Sequence, residues 1–402
     1  MSDTSRKDWA ENAQAALRGQ PLASLTRYTE DNITRGPLYD ASDLPDVIAP
    51  TARNAAPLLG QRPWHICAPV RDPDITFANA QLLRDLKGGA SAARISLGDH
   101  ALDLTGAGDI PRLLDQVQTD FIPFVLAPGY NARRFDLFES LSADHLFLGL
   151  CPGTEGLMDL AQKMPDTWQL ITINAAEASE NGATSAQELA YMAAGIAHTY
   201  RRLGSDLAAR HIGVELTTDQ DAHLNIAKMR AARRIHARIA QSFGADDARL
   251  TVHAISQKRM MQSVDPWTNM LRVMSAGFGA VTGGADFITL RPYTDAIGHA
   301  DPFGYRIARN MQLMMMEESH LAQVVDPAYG SYFHEAMSEV LARAAWSNFQ
   351  RIEAEGGFDN LSGFMTRISA STAERAAREE PVLGITLHPA KNVRPAKVRG
   401  MR

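Results

Sequence analysis

From residue 62 to residue 322, short apolar runs alternate eight times with longer helical patterns. The apolar runs are RPWHICAPV (62–70), AARISLG (92–98), FIPFVLAPG (121–129), HLFLGLCPG (145–153), WQLITINAA (168–176), HIGVELTTD (211–219), ARLTVHAIS (248–256) and FITLRPYT (287–294). Helices fit near 75–87, 109–117, 131–141, 155–163, 184–203, 221–243, 266–282 and 303–322. The strands are almost unbroken apolar stretches, as expected when helices cover a parallel sheet. Eight strand–helix units in series predict a (β/α)8 TIM barrel, an α/β fold. An open doubly wound sheet is the rival, weakened because no G-x-G-x-x-G follows the first strand.

The flanks differ in pattern. Residues 1–60 read as an N-terminal arm, with one short helix near 6–18 and then extended, proline-containing chain. Such an arm wraps either a neighbouring subunit or its own domain. The barrel occupies 61–325, and 326–402 form a helical tail with helices near 336–355 and 361–379. The last dozen residues are basic, which predicts a solvated end or, alternatively, a subunit contact. The MMM run at 314–316 lies in a helical pattern and is expected to fill core.

Composition narrows the class. The chain has 402 residues and a net charge of -6, so it carries no basic footprint for nucleic acid. No run approaches the roughly 20 apolar residues that span a bilayer, and the N-terminus has no apolar core like that of a secretory signal. Cys67 and Cys151 match neither a metal spacing nor a disulfide framework. A reduced, cytoplasmic setting is expected, with no metal site.

Barrel chemistry belongs at the C-terminal ends of the strands. The rim there offers Pro69 and Arg71, Asp99 and His100, Cys151, Glu177, Asp219, His253, Gln257 and Arg259, and Arg291. Of these, Glu177, His253, Gln257, Arg259 and Arg291 are the candidate barrel-mouth residues. Each also has a plainer explanation. His253 lies inside a strand and suits a hydrogen-bonded core histidine. Glu177 sits in an acidic loop before a helix, where acids favour the positive end of the helix dipole. There is no G-x-S-x-G and no P-loop. Read from its residues alone, the chain is a large barrel with a polar rim and no assignable reaction.

One stretch is more specific. RIARNMQLMMMEESHLAQVVDPAYGSY (306–332) resembles the signature of the methylmalonyl-CoA mutase family at Arg306, Ile307, Ala308, Arg309, Asn310, Gln312, Glu317, Glu318, Asp326, Pro327, Gly330 and Ser331. Met311, Gln323 and Tyr329 depart from its commonest form. NGATSAQELAYMAAG (181–195), AKMRAARRIHARI (227–239), DPWTNMLR (265–272), GGADFITLRPYT (283–294) and RPW (62–64) extend the resemblance over roughly residues 25–390. It implies a (β/α)8 barrel with coenzyme A threaded down its axis. It also implies a radical rearrangement driven by adenosylcobalamin, carried on a separate C-terminal domain.

The departures decide what the resemblance implies for this chain. Family catalytic positions fall at Pro69 in place of Tyr, Glu177 in place of His, and Ile255 in place of Gln. The arginine that holds the substrate carboxylate is expected before strand five, and residues 146–170 contain none. The cobalamin-binding D-x-H-x-x-G motif does not occur. The pattern is closest to the small, non-catalytic subunit of heterodimeric mutases. No catalytic residue is expected, and no cofactor is expected on this chain. Adenosylcobalamin would reach the complex on a partner: a homologous large subunit across an interface above ~2,000 Å². The alternative is a catalytic, acyl-CoA-binding subunit of a split mutase that uses a separately encoded cobalamin-binding protein. With Glu177 at the mouth and no arginine beside it, a thioester bearing a free carboxylate should be rejected, because an unpaired buried carboxylate costs several kcal/mol.

Overall fold

The computed structural model describes residues 3–46, 62–98, 101–104, 106, 108–129, 138, 141, 143–376, 381–389 and 391–400. Asp99, His100 and all of the expected helix at 131–141 except residues 138 and 141 lie outside them. Eight parallel strands close into a barrel in chain order. They are β1 (His65–Val70), β2 (Ala92–Ile95), β3 (Phe124–Leu126), β4 (Leu146–Leu150), β5 (Gln169–Asn174), β6 (Ile212–Thr218), β7 (Thr251–Ser256) and β8 (Phe287–Thr289). Closure is set by Phe287 of β8, which is in register with His65 of β1 and His253 of β7. Each strand falls inside an apolar run read from the sequence, because strands buried on both faces have no reason to alternate.

Around the barrel run α1 (Ile75–Lys87), α2 (Asp109–Leu113), α3 (Leu157–Lys163), α4 (Ala175–Glu180), α5 (Ser185–Leu203), α6 (Ser205–His211), α7 (Ala222–Ser242), α8 (Asn269–Thr282) and α9 (Pro302–Leu313). The acidic segment after β5 differs from expectation: it is helix α4, not a loop. Asn174 starts it by accepting from the Glu177 amide through its side chain, which satisfies one of the helix's orphan donors. Helix α5 begins with a reciprocal capping box between Thr184 and Gln187. At the end of α9 the MMM run turns into one π-helical stretch, Met314–Glu318. Met315 and Met316 are buried and Met314 is exposed.

The C-terminal helices α10 (Tyr332–Ala354) and α11 (Ser362–Ala376) add a layer over α5 and α7. That layer makes α7 a buried helix with charges inside it. Fully buried Arg230 pairs with both Asp326 and Glu335, and Lys228 reaches Glu188 at 2.7 Å. These pairs explain why a charge-rich segment, AKMRAARRIHARI, sits in an interior: Arg230 and Lys228 each have a carboxylate across from them.

Both flanks fold onto their own barrel. In the arm, Arg27–Tyr28 and Thr34–Arg35 form a small antiparallel pair. Between them Asp31 accepts the Ala186 amide in the first turn of α5, and Arg35 pairs with Asp221 at 2.5 Å. The basic tail is not simply solvated. Trp267 donates to the carbonyl of Arg394, and Val398–Gly400 pairs antiparallel with His299–Ala300. Arg399 lies over the Phe77 ring and 3.5 Å from Asp72. Among the described residues, no helix is long and apolar enough to cross a membrane.

One glycine in the barrel wall is required by geometry. The β4–β5 register shifts between Phe147 and Leu150, and Gly149 takes φ +66° there. A Cβ at Gly149 would lie 2.5 Å from the Leu126 carbonyl of β3, which cannot move aside as a side-chain tip can. Gly149→Ala is therefore expected to cost about 1–3 kcal/mol. Equilibrium urea unfolding reads this directly, and an unchanged midpoint would mean that the bulge is not held as described.

Candidate functional site

The lumen of the barrel is crossed twice by side chains. In a closed ring of eight strands, β4 faces β8 and β2 faces β6. Phe147 of β4 meets Phe287 of β8 with ring centroids 4.7 Å apart, so the two rings span the axis. His253 stacks on Phe287 at 4.7 Å and meets Phe147 edge-on at 5.4 Å. His65 stacks on Phe287 as well, at 4.9 Å. Cys67, Ala92 and Val125 complete this apolar plug, and burial pushes the Cys67 thiol up to about 12.

The next layer toward the C-terminal mouth is an ion pair. Arg94 stands two residues beyond Ala92 on β2, and Glu215 pairs in register with His253 on β6. Arg94 Nε and Nη2 donate to the two carboxylate oxygens of Glu215, both at 2.8 Å, and Nη1 donates to Ser96 Oγ at 2.9 Å. Arg94 is 9% exposed and Glu215 3%. This is the bidentate fork that a guanidinium and a carboxylate form best, and it runs straight across the barrel.

Above that pair lies a cavity of about 330 Å³, bounded by Pro69, Arg71, Arg94, Ser96, Ile255, Lys258, Thr289 and Arg291 among others. It occupies the half of the mouth formed by β1, β2, β7 and β8. Arg71 pairs with the fully buried Asp295. Arg291 Nε donates to the Ser256 carbonyl at 2.8 Å, while its outer nitrogens stand 3.4 Å from Glu180 and 3.5 Å from Asp295. Arg71 and Arg291, read from the sequence as rim residues, both bound this cavity, and Arg94 joins them from inside β2. Three arginines bound the cavity, supplied by β1, β2 and β8 rather than by the approach to strand five.

The candidate residues do not converge. Arg291 faces the cavity. His253 is not at the mouth but inside the aromatic plug, and burial lowers its pKa to about 4, so it is neutral there. Glu177 is exposed on the opposite half of the rim, where Asn174 donates to it at 2.8 Å. Gln257 donates to Ser179 Oγ at 2.8 Å, and Ser179 in turn meets Thr217 at 2.8 Å. Gln257 and Arg259 line a separate cleft of about 810 Å³ beside α8 and the tail, with Asp219, whose carboxyl burial raises to about 6. Pro69 and Ile255 form apolar wall in the mouth cavity. Arg94, Glu215 and Lys258 were missed in the sequence. For the first two a signal existed: single opposite charges within otherwise apolar strands, on opposite walls of the ring.

Among the described residues, no group of three or more His, Cys, Asp or Glu could hold a metal ion, and no imidazole bounds the mouth cavity.

The cross-lumen pair has a measurable consequence. Arg94→Met leaves Glu215 charged and unpaired in the interior and is expected to cost about 3–5 kcal/mol. Arg94→Met with Glu215→Leu removes both charges and keeps the volume, so most of that loss should return. A single variant that unfolds within about 1 kcal/mol of the parent chain would place the pair in solvent rather than across the lumen.

Residues 155–386 match the methylmalonyl-CoA mutase family. The methylmalonyl-CoA mutase small subunit of Streptomyces virginiae is 35% identical over 98% of this chain and 72% of its own length. The small subunit from Propionibacterium freudenreichii subsp. shermanii is 29% identical over 95% of this chain and 68% of its own. The methylmalonyl-CoA mutase of Rhizobium meliloti (strain 1021) is 26% identical, covering 99% and 66%. A solved F420-dependent secondary alcohol dehydrogenase aligns at 12% identity over 70% of this chain and 99% of its own, with a TM-score of 0.28, too low to bear on fold or function. With the mutase signature, the closed parallel barrel and near full-length similarity to small subunits in agreement, this chain belongs to the methylmalonyl-CoA mutase family.

Proposed function

We infer that this chain is a barrel subunit of an adenosylcobalamin-dependent acyl-CoA mutase, and that it is the non-catalytic small subunit that stabilises a homologous large one. The observation that carries this reading is the obstructed lumen. A coenzyme A thioester laid along the axis would have to displace the Phe147–Phe287 contact and the Arg94–Glu215 pair together. Removing either partner of a buried pair leaves a bare charge, which makes entry costly as well as tight.

The rim supports the same reading. Pro69 and Ile255 can neither donate nor accept through their side chains, and Glu177 is exposed on the far side from the cavity. With the family's catalytic positions filled in this way and the thioester's route barred, the barrel lacks the parts that radical chemistry would need from it. Its value to the complex lies in its surface. The radical chemistry itself belongs to a large subunit that carries the cobalamin.

Reconstitution tests this. The chain is co-expressed with a homologous large subunit that includes its cobalamin-binding region. A one-to-one complex by light scattering is expected, with mutase activity unchanged when Glu177→Gln or Ile255→Ala is placed in this chain. A chain that remains alone in the presence of that subunit, or turnover that collapses with Glu177→Gln, would contradict the reading. The second outcome would favour a catalytic barrel working with a separate cobalamin protein.

A further inference from the structure

We propose that the mouth cavity is a binding site for a small free dianion, either a phosphate or a short dicarboxylate, held between Arg291 and Lys258. Such a site is independent of the subunit role and needs no partner chain.

The charge inventory of the cavity points there. Among the described residues, four cations bound it: Arg71, Arg94, Lys258 and Arg291. Two are closed off by their own carboxylates, Arg94 by the bidentate Glu215 and Arg71 by Asp295. Arg291 is not closed off in this way. Its outer nitrogens reach Glu180 and Asp295 only at 3.4 and 3.5 Å, longer than a strong charge-assisted bond. Both of those carboxylates already serve another donor, Glu180 the Lys258 amide at 2.8 Å and Asp295 the Arg71 guanidinium. Lys258 stands exposed at the rim of the same cavity. Two positive charges therefore face one concave space, and the carboxylates nearest Arg291 are shared with other donors.

Shape and floor restrict the ligand. About 330 Å³ lies at the small end of ligand-sized cavities, enough for phosphate or a short carbon skeleton. Arg94 lines the cavity while tied across the axis to Glu215, so a group attached to the anion would have to break that pair to continue down the axis. A free anion fits, whereas an anion at the end of a long arm entering through the lumen does not. Ser96 and Thr289 bring hydroxyls to the wall, and Pro69 and Ile255 bring apolar surface for a carbon chain.

Calorimetry on the full chain, at constant ionic strength in chloride buffer, tests the site with two probes: inorganic phosphate and glutarate. Saturable binding of at least one is expected. Phosphate alone would assign a phosphoryl ligand, glutarate alone a carboxylate pair, and both the shared dianion chemistry. Lys258→Met, a rim change that leaves the fold untouched, should weaken binding about tenfold or more, as loss of a charge-assisted bond does. Arg291→Met, checked for folding by circular dichroism, should weaken it at least as much. No saturable heat with either probe overturns the inference, as does unchanged affinity in Lys258→Met. Because the titration uses this chain by itself, its failure would leave pairing with a large subunit untouched.

Discussion

The guanidinium of Arg94 and the carboxylate of Glu215 meet across the axis of the barrel, and much of what this protein can and cannot do follows from that one bond. TIM-barrel interiors are normally packed in layers of branched apolar side chains. Here one layer is aromatic and the next is ionic. An ion pair in that place adds little net stability over an apolar filling, because desolvating both charges offsets their attraction. Its effect is on the alternatives. Once both charges are inside, neither can leave alone, so the two walls are tied and the axis is closed. The same constraint divides the molecule into a sealed lower lumen and an open upper cup whose floor is charged.

The cup and the rim have separate fates. On the side of β1, β2, β7 and β8, cations gather round a cavity. On the side of β5 and β6, the polar groups satisfy one another: Gln257 with Ser179, Ser179 with Thr217, and Thr217 with the Glu188 that also holds Lys228. That chain of bonds rigidifies the wall beneath α4 and leaves little for a substrate to engage. Glu177 is outside it, held by Asn174 at the helix start. Asn174 and Glu177 bond each other at the start of α4, so Glu177 is part of a helix cap.

Much of the architecture was legible in the sequence for a physical reason. Parallel strands covered on both faces leave continuous apolar runs, and eight of them in series admit few folds. Helix α4 escaped because six residues with three alanines and two glutamates carry no apolar period; what starts it is the single side chain of Asn174. His253 stood both as a mouth candidate and as a core histidine, because a residue inside a strand run cannot be assigned to a layer without a register. Its register with Phe287 and its stacking on that ring place it in the aromatic plug. Arg71 and Arg291 could be named at the rim, but their convergence with Arg94 on one cavity could not be read. Arg71, Arg94 and Arg291 are far apart in the chain and meet only when the ring closes. The tail was misjudged because a basic composition says nothing about backbone pairing, and it is pairing with His299–Ala300 that helps fasten it.

Hydrogen–deuterium exchange with and without coenzyme A, on the isolated chain, puts the closed axis to its most direct test. If Arg94 and Glu215 bar the lumen, the amides of β2, β4, β6 and β8 will exchange at the same rates whether or not the ligand is present. Protection that appears in those strands on adding coenzyme A would show that the axis opens, and the claim that this barrel has lost its substrate channel would fail.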